Sequence, residues 1–155
     1  MKLQIAAVGR LRSGPEADLV RDYLARTGRT GTRVGIGPVY VQEVEARKGG
    51  AKEEARLLAK ATVDAKPLVV LDERGTSLDS PGLAARLEAW RDHGHRQATF
   101  VIGGADGVAS TFRDRADLVL GLGPMVWPHM LVRVMLAEQL YRSVSILAGS
   151  PYHRE

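Results

Sequence analysis

Short apolar runs and helically spaced apolar residues alternate along the chain. The apolar runs predict strands, and one of them is half-exposed because its valines alternate with polar residues. The predicted strands span residues 3–8, 39–44 (the half-exposed one), 67–72, 98–102 and 118–120. Helices are predicted between and after them, at residues 15–26, 51–65, 80–93, 110–116 and 130–147. Strand and helix thus alternate about five times, which predicts one α/β domain over residues 1–155, with a mainly parallel sheet and helices on both faces.

Individual residues predict where several of these helices and strands begin or end. Pro15 suits the first turn of the first helix, and Gly28 is expected to end that helix. Ser80 is the expected cap of the third helix, with Pro81 at its first helical position. Residues 73–76 are expected to form a turn after the preceding strand.

The predicted last helix is apolar over most of its circumference. Its charged residues are Arg133, Glu138 and Arg142. A helix of this kind must be buried on two sides. The second side is covered either by the rest of the chain or by another copy, and we expect a twofold homodimer.

Composition narrows the classes of function. The chain has no cysteine, which excludes disulfides, thiolate catalysis and cysteine-ligated zinc. Its net charge of +4 permits a phosphate-rich partner without requiring one. The N-terminal apolar run lacks the pattern of a signal peptide, and no stretch approaches the ~18 apolar residues of a membrane span. We therefore expect a cytoplasmic protein.

Common nucleotide and metal motifs are absent from the sequence. Residues 9–14 have the glycine spacing of a phosphate loop, but Pro15 and Glu16 follow where lysine and serine or threonine are needed. No G-x-G-x-x-G follows the first strand, and no G-x-S-x-G or H-E-x-x-H occurs. His93 and His95 lie at a helix end, where solvated side chains are expected rather than metal ligands.

Two glycine-bearing loops mark the predicted ligand site. Residues 103–107 and 121–124 each follow an apolar strand, and the second loop runs through Trp127 and His129 into the last helix. Glycine lets main-chain groups approach a ligand closely, and loops at strand ends are where α/β sheets bind ligands. Trp127 could alternatively be only a hydrophobic plug.

The chain ends in three residues with complementary chemistry. Tyr152 offers a stacking ring, His153 a titratable imidazole and Arg154 a guanidinium. Together these groups could hold a nucleobase and its phosphate. A frayed terminus without function is the alternative.

Several segments carry a family resemblance. They are Met1 to Ile5, Val8-Gly9, Val70 to Asp72, Ile102 to Gly104, Pro128-His129, Leu131 to Val134, Glu138 to Arg142 and Pro151 to Glu155. In these segments the chain resembles the pseudouridine N3-methyltransferases of large-subunit ribosomal RNA, a family of the SPOUT superfamily. The resemblance covers the whole chain, and its C-terminal combination is the most specific part.

The resemblance implies a C-terminal trefoil knot, a rare exception to the rule that chains are unknotted. It also implies a homodimer that binds S-adenosylmethionine at the knot without a metal, and a pseudouridine of 23S ribosomal RNA in the assembled ribosome as substrate. The implied cofactor residues are Leu71, Gly103, Leu122, Gly123, Pro124, Met125, Val126 and Trp127. Val126-Trp127 departs from the threonine and smaller apolar residue that the family commonly has before Pro-His.

The same resemblance suggests roles for the tail. His153 is the candidate for assisting loss of the N3 proton, Tyr152 for stacking on the base and Arg154 for binding phosphate. Arg133 and Arg142 could add affinity for RNA, although a structural role for Arg142 is equally compatible with the sequence.

Other basic residues are candidates for phosphate contacts: Arg10, Arg12, Arg47 and Lys48. Two alternatives remain open at this point. One is another methyltransferase, acting on transfer RNA, a different ribosomal site or a small molecule. The other is a ribosome-binding factor without catalysis, which would need no cofactor.

Overall fold

The computed structural model describes residues 1–46, 48 and 50–153. In these ranges the chain forms five strands and five α-helices, with a 3₁₀ turn at Thr32–Val34. The strands are β1 (Lys2–Val8), β2 (Val39–Val44), β3 (Leu68–Ser77), β4 (Gln97–Ile102) and β5 (Leu118–Gly121). The helices are α1 (Pro15–Gly31), α2 (Gly50–Ala61), α3 (Ser80–Asp92), α4 (Ser110–Arg115) and α5 (His129–Leu147).

The strands form one sheet in the order β2-β1-β4-β3-β5, and every pairing is parallel. Ile5 lies beside Val41 on one side and Phe100 on the other. Val69 likewise lies between Phe100 and Leu118. Because the strands are parallel, their carboxyl ends share one edge of the sheet. The predicted α/β fold with a mainly parallel sheet is confirmed.

Helices cover both faces of the sheet. Side chains alternate along a strand, so Leu3 and Ile5 belong to one apolar cluster, and Ala6 and Val8 to another. The first cluster includes residues of α1, α3 and α5, and the second includes residues of α2 and α4. A fully buried side chain such as that of Phe100 contributes about 2–3 kcal/mol relative to an exposed one.

Helix α5 packs against α1, α3 and the sheet. Leu136, Leu140 and Val144 are fully buried there. The same chain therefore covers much of this helix, while Met130 and Leu131 in its first turn remain 38% and 39% exposed. Within the described ranges, no helix is long and apolar enough to cross a membrane.

Two predicted helix ends are wrong. Helix α1 continues through Gly28 to Gly31, where the returning Ile36 carbonyl lies too close for any side chain. The left-handed turn that follows is at Gly35, with φ 67°. Helix α2 ends at Ala61 rather than at residue 65.

The structure also corrects the predictions for β3 and α3. Residues 73–76 belong to β3, because Leu71 and Thr76 both pair with Leu120 and the residues between them bulge outward. This bulge comprises residues 72–75. The C-terminal trefoil knot stays a prediction. Asp79 caps α3 by accepting a hydrogen bond from the Gly82 amide (2.7 Å), so Ser80 is not the cap.

Candidate functional site

A cleft of about 820 Å³ lies at the carboxyl ends of β3, β4 and β5. Its walls are the β3 bulge, the loop after β4, the loop after β5 and the first turn of α5. All the predicted cofactor residues except Pro124 line it: Leu71, Gly103, Leu122, Gly123, Met125, Val126 and Trp127. The structure thus brings together residues that are far apart in sequence, and their binding role stays a prediction.

The loop after β4 presents main chain to the cleft. A Cβ on Gly103 would overlap the main chain of Gly107, so only glycine fits at this strand end. Gly107 has a left-handed backbone, φ 76°, and its amide donates a hydrogen bond to the Gly104 carbonyl (3.1 Å). This tight turn leaves room beside the strand end that a side chain would otherwise fill.

The loop after β5 supplies apolar surface. The Trp127 indole N–H donates a hydrogen bond to the Leu122 carbonyl oxygen (3.2 Å), which links the two ends of the loop. Between them, Met125 is 61% exposed and Val126 is 79% exposed. Exposed apolar side chains grouped at a cleft are typical of a surface that binds a ligand or a partner.

An ion pair lies in the cleft. Asp72 Oδ2 accepts a hydrogen bond from Arg113 Nη1 (3.0 Å), and its other oxygen accepts from the Arg74 amide (2.9 Å). Arg113 also donates to the Val108 carbonyl (3.0 Å). The pair joins the β3 bulge to the loop after β4. Arg113 was not predicted from the sequence, which placed Asp72 at the end of the predicted strand 67–72 and marked the site by the two glycine-bearing loops.

Arg133 links α5 to the carboxyl ends of β1 and β2. Its Nη2 donates to the carbonyls of Val8 (2.5 Å) and Gly9 (2.6 Å), and its Nη1 to Glu43 Oε1 (2.7 Å). The side chain is 3% exposed. A guanidinium buried among these acceptors cannot reach a phosphate, so the prediction that Arg133 adds RNA affinity is wrong.

The other basic candidates differ in their surroundings. Arg10 is half-exposed and forms an ion pair with Glu45 (3.3 Å). Arg12 and Lys48 are exposed. Arg47 lies outside the described residues.

The tail packs against the middle of α5. The Tyr152 ring contacts the Tyr141 ring, at a centroid distance of 4.5 Å, and the Arg142 guanidinium lies over it, at 4.9 Å. Its hydroxyl donates to Glu138 Oε1 (3.0 Å), which also accepts from Arg142 Nε (3.0 Å) and Nη2 (2.5 Å). Arg142 Nη1 approaches His153 Nδ1 at 3.4 Å. Tyr152 is thus anchored rather than frayed.

This packing affects the pKa values of Tyr152 and Arg142. Burial raises the pKa of the Tyr152 phenol above its ordinary value, and the nearby Tyr23 and Glu138 add to the effect. The hydrogen bond to Glu138 raises the pKa of the Arg142 guanidinium, despite an opposing effect of burial. At neutral pH the phenol is therefore a donor, and Arg142 carries its charge.

The described tail residues do not line the cleft of their own chain. Glu138, which binds Tyr152, lies nine positions after His129 of the cleft wall, or roughly 14 Å along the helix axis. A second cavity of about 680 Å³ extends along α5 to Glu138 and shares Leu122 and Gly123 with the cleft. Arg154 lies outside the described residues.

The two histidines near the end of α3 lie apart from the cleft. His93 is exposed, and its Nδ1 bonds the Ala89 carbonyl oxygen (2.5 Å). Among the described residues, no three acidic or histidine side chains converge in the way that metal ligands would.

Comparison with known proteins agrees with this geometry. Residues 1–153 match the family described as "Predicted SPOUT methyltransferase". The chain is 64% identical to the ribosomal RNA large subunit methyltransferase H of Cereibacter sphaeroides, over 99% of both chains. It is 58% identical to the protein of the same name from Paracoccus denitrificans, over the full length of both. A probable methylase family protein from Haemophilus influenzae shares the fold, with a TM-score of 0.56 at 9% identity over 99% of this chain and 70% of that one.

Proposed function

The chain belongs to the SPOUT methyltransferase family, and on that basis we propose that it methylates N3 of a pseudouridine in 23S ribosomal RNA of the assembled ribosome. The methyl donor is S-adenosylmethionine. The observation that carries this proposal is the cleft, in which three strand ends distant in sequence form one cradle around Gly103. Full-length identity to relatives named as large-subunit ribosomal RNA methyltransferases supports the choice of substrate.

The residues of the cleft fit this donor. Its sulfonium supplies an activated methyl group, so the protein has to bind it, orient it and exclude water. Main-chain groups at Gly103 and along residues 122–127 would hold the polar parts. Leu71 and Val126 would pack on the adenine, since both line the cleft and the Val126 side chain is largely exposed.

We assign the acceptor side of the site to the tail. Tyr152 would stack on the target base, Arg154 would bind phosphate, and His153 would assist loss of the N3 proton. The described tail residues do not line their own cleft, so a second copy would have to supply them. A homodimer fits the exposed apolar residues Leu19, Met130 and Leu131, which a partner would cover.

Dimerisation can be tested through this shared site. A variant lacking Tyr152 to Glu155 would be mixed with a Gly103→Leu variant that cannot bind the cofactor. Each is expected to be inactive alone. If the tail acts on the partner, random exchange makes half of the dimers mixed with one complete site each, so the mixture should regain up to about a quarter of the activity. No recovery after verified subunit exchange would place the tail in its own chain's site.

Substrate selection would use a composite surface, with contacts to the ribosome spread over the exposed basic residues. Arg12 and Lys48 are exposed, and Arg10 is half-exposed. Arg47 remains a candidate by sequence alone. The ribosomal substrate implies a cytoplasmic location.

The direct test uses tritiated S-adenosylmethionine. Purified protein would be incubated with intact ribosomes, with separated subunits and with ribosomes from cells that lack the pseudouridine synthase. Label is expected only on intact, pseudouridylated ribosomes. Label on transfer RNA or another ribosomal site would indicate a different acceptor. If calorimetry detected no binding of S-adenosylmethionine, the protein would instead be a non-catalytic ribosome-binding factor.

A further inference from the structure

The contact between Arg142 and His153 determines how the imidazole can use its two nitrogens. Arg142 Nη1 lies 3.4 Å from His153 Nδ1. A guanidinium has donors and no acceptor, so Nδ1 must offer its lone pair to this contact. In the neutral imidazole the hydrogen is then on Nε2.

We propose that Arg142, held by Glu138, is a positioning residue that keeps His153 in the Nε2–H form, so that the tail donates a hydrogen bond to a carbonyl oxygen beside N3 of the target base. His153 is then a donor rather than the base that removes the N3 proton. This proposal rests on the proposed function and refines the role given there to His153.

The surroundings of Arg142 hold its guanidinium in place. Glu138 Oε1 accepts from both Nε and Nη2, and the guanidinium lies over the Tyr152 ring. The remaining Nη1 is directed at His153. Lysine could not reproduce this arrangement, because its ammonium lacks the planar fork of donors.

A histidine that acts as a general base has the opposite arrangement. In such sites an acceptor, commonly a carboxylate, binds the Nδ1–H and leaves the Nε2 lone pair free to take a proton. Here the group beside Nδ1 is a cation that only donates.

A hydrogen-bond donor can assist methylation of an imide nitrogen. The N3–H ionises to solvent water, and the negative charge spreads over N3 and the two flanking carbonyl oxygens. A hydrogen bond from Nε2–H to one oxygen stabilises that anion. The N3 electron pair then forms the N–CH₃ bond, while the S–CH₃ pair returns to sulfur and leaves a neutral thioether.

The tautomer can be measured without any activity assay. Long-range proton–nitrogen spectra of the ¹⁵N-histidine-labelled protein, recorded where the imidazoles are neutral, distinguish Nδ1–H from Nε2–H. His153 is expected to show Nε2–H, and the signal is assigned by its absence in His153→Gln. His93 serves as the control in the same spectrum, because its Nδ1 faces the Ala89 carbonyl and must carry the hydrogen.

Arg142→Met should shift His153 toward a mixture of tautomers and leave His93 unchanged. An Nδ1–H signal for His153 in the wild-type protein would overturn the proposal, whether or not the Arg142 variant folds. This readout is independent of methyl transfer. Failure of the wild-type protein to methylate ribosomes would therefore reject the proposed function while the spectrum still decides the tautomer.

Turnover gives a second test. His153→Ala is expected to reduce kcat by about a hundredfold, the usual effect of losing one such donor. His153→Gln keeps a donor near the Nε2 position but cannot accept a proton, so it should retain at least about a tenth of the wild-type kcat. His93→Gln, on the exposed end of α3, should be unaffected. A His153→Gln variant as inactive as the alanine variant, with cofactor affinity intact, would refute the donor role.

Discussion

The main chains of Gly75 and Gly121 are in direct contact where the β3 bulge meets the end of β5. A Cβ on Gly75 would lie 2.7 Å from the Gly121 amide nitrogen, and a Cβ on Gly121 would lie 2.9 Å from the Gly75 carbonyl oxygen. The neighbours are backbone atoms, which cannot rotate away as a side chain can. The loop after β5 therefore starts from a point where neither strand tolerates a side chain.

Gly75→Ala should consequently destabilise the fold. Forcing a methyl group into this contact is expected to lower the free energy of unfolding by about 1–3 kcal/mol, the usual cost of overpacking. Because the displaced strand carries the cofactor loop, affinity for S-adenosylmethionine should fall as well. Urea unfolding and calorimetry measure the two effects.

Gly28→Ala is the matched control for that variant. Gly28 lies within α1, and among the described residues a methyl group there would meet no atom within 4 Å outside its own helix. Alanine should therefore stabilise the protein by about 0.5–1 kcal/mol. Equal stability of Gly75→Ala and the wild-type protein would show that the two strands can separate at this point.

Arg133→Met should be strongly destabilising. The variant leaves the carbonyls of Val8 and Gly9 and the Glu43 carboxylate without their common donor. Leaving a buried carbonyl without its donor costs about 1–3 kcal/mol, whereas the Glu43 side chain is 28% exposed and can be solvated. Arg10→Met is the comparison, since its ion pair is half-exposed and should contribute less than about 1 kcal/mol. Similar losses in the two variants would contradict the burial assigned to Arg133.

Trp127→Phe tests whether the loop after β5 must be held closed to bind the cofactor. The variant keeps an aromatic ring but removes the N–H that donates to the Leu122 carbonyl. Losing this hydrogen bond should reduce the binding free energy by about 0.5–1.5 kcal/mol, which raises the dissociation constant of the cofactor roughly two- to tenfold. Trp90→Phe, in α3 away from the cleft, should bind the cofactor as the wild-type protein does. Unchanged affinity in Trp127→Phe would mean that this hydrogen bond does not organise the site.

Much of the fold could be predicted because its signals are local. The apolar run from Leu68 to Leu71 predicts a buried strand wherever it lies in the sheet, and five such elements alternating with helices predict parallel pairing. The cofactor cleft could be located for a related reason. Carboxyl ends of parallel strands share an edge, so Gly103 and Leu122 were expected at the same edge of the sheet.

Contacts between distant side chains could not be predicted in this way. Arg113 and Asp72 are 41 residues apart, and only the folded chain shows that they pair. The burial of Arg133 did leave a signal, because Arg133 precedes Ala137 and Leu140 on one helical stripe whose members are all buried. Its charge, taken alone, favoured the mistaken expectation of an RNA contact.

The pH dependence of stability should reveal the packing of Tyr152. Burial raises the pKa of its phenol in the folded protein above the ordinary value of about 10, so the phenol contributes its full stability below that pH. As the pH rises further, the unfolded chain loses this proton first, and the contribution disappears. Relative to Tyr152→Phe, the wild-type protein should therefore lose free energy of unfolding above pH ~10. Urea titrations of both proteins between neutral and alkaline pH test this, with Tyr40→Phe, on the exposed β2 strand, as the control. Parallel curves for the wild-type and Tyr152→Phe proteins would show that the tail leaves α5 in solution.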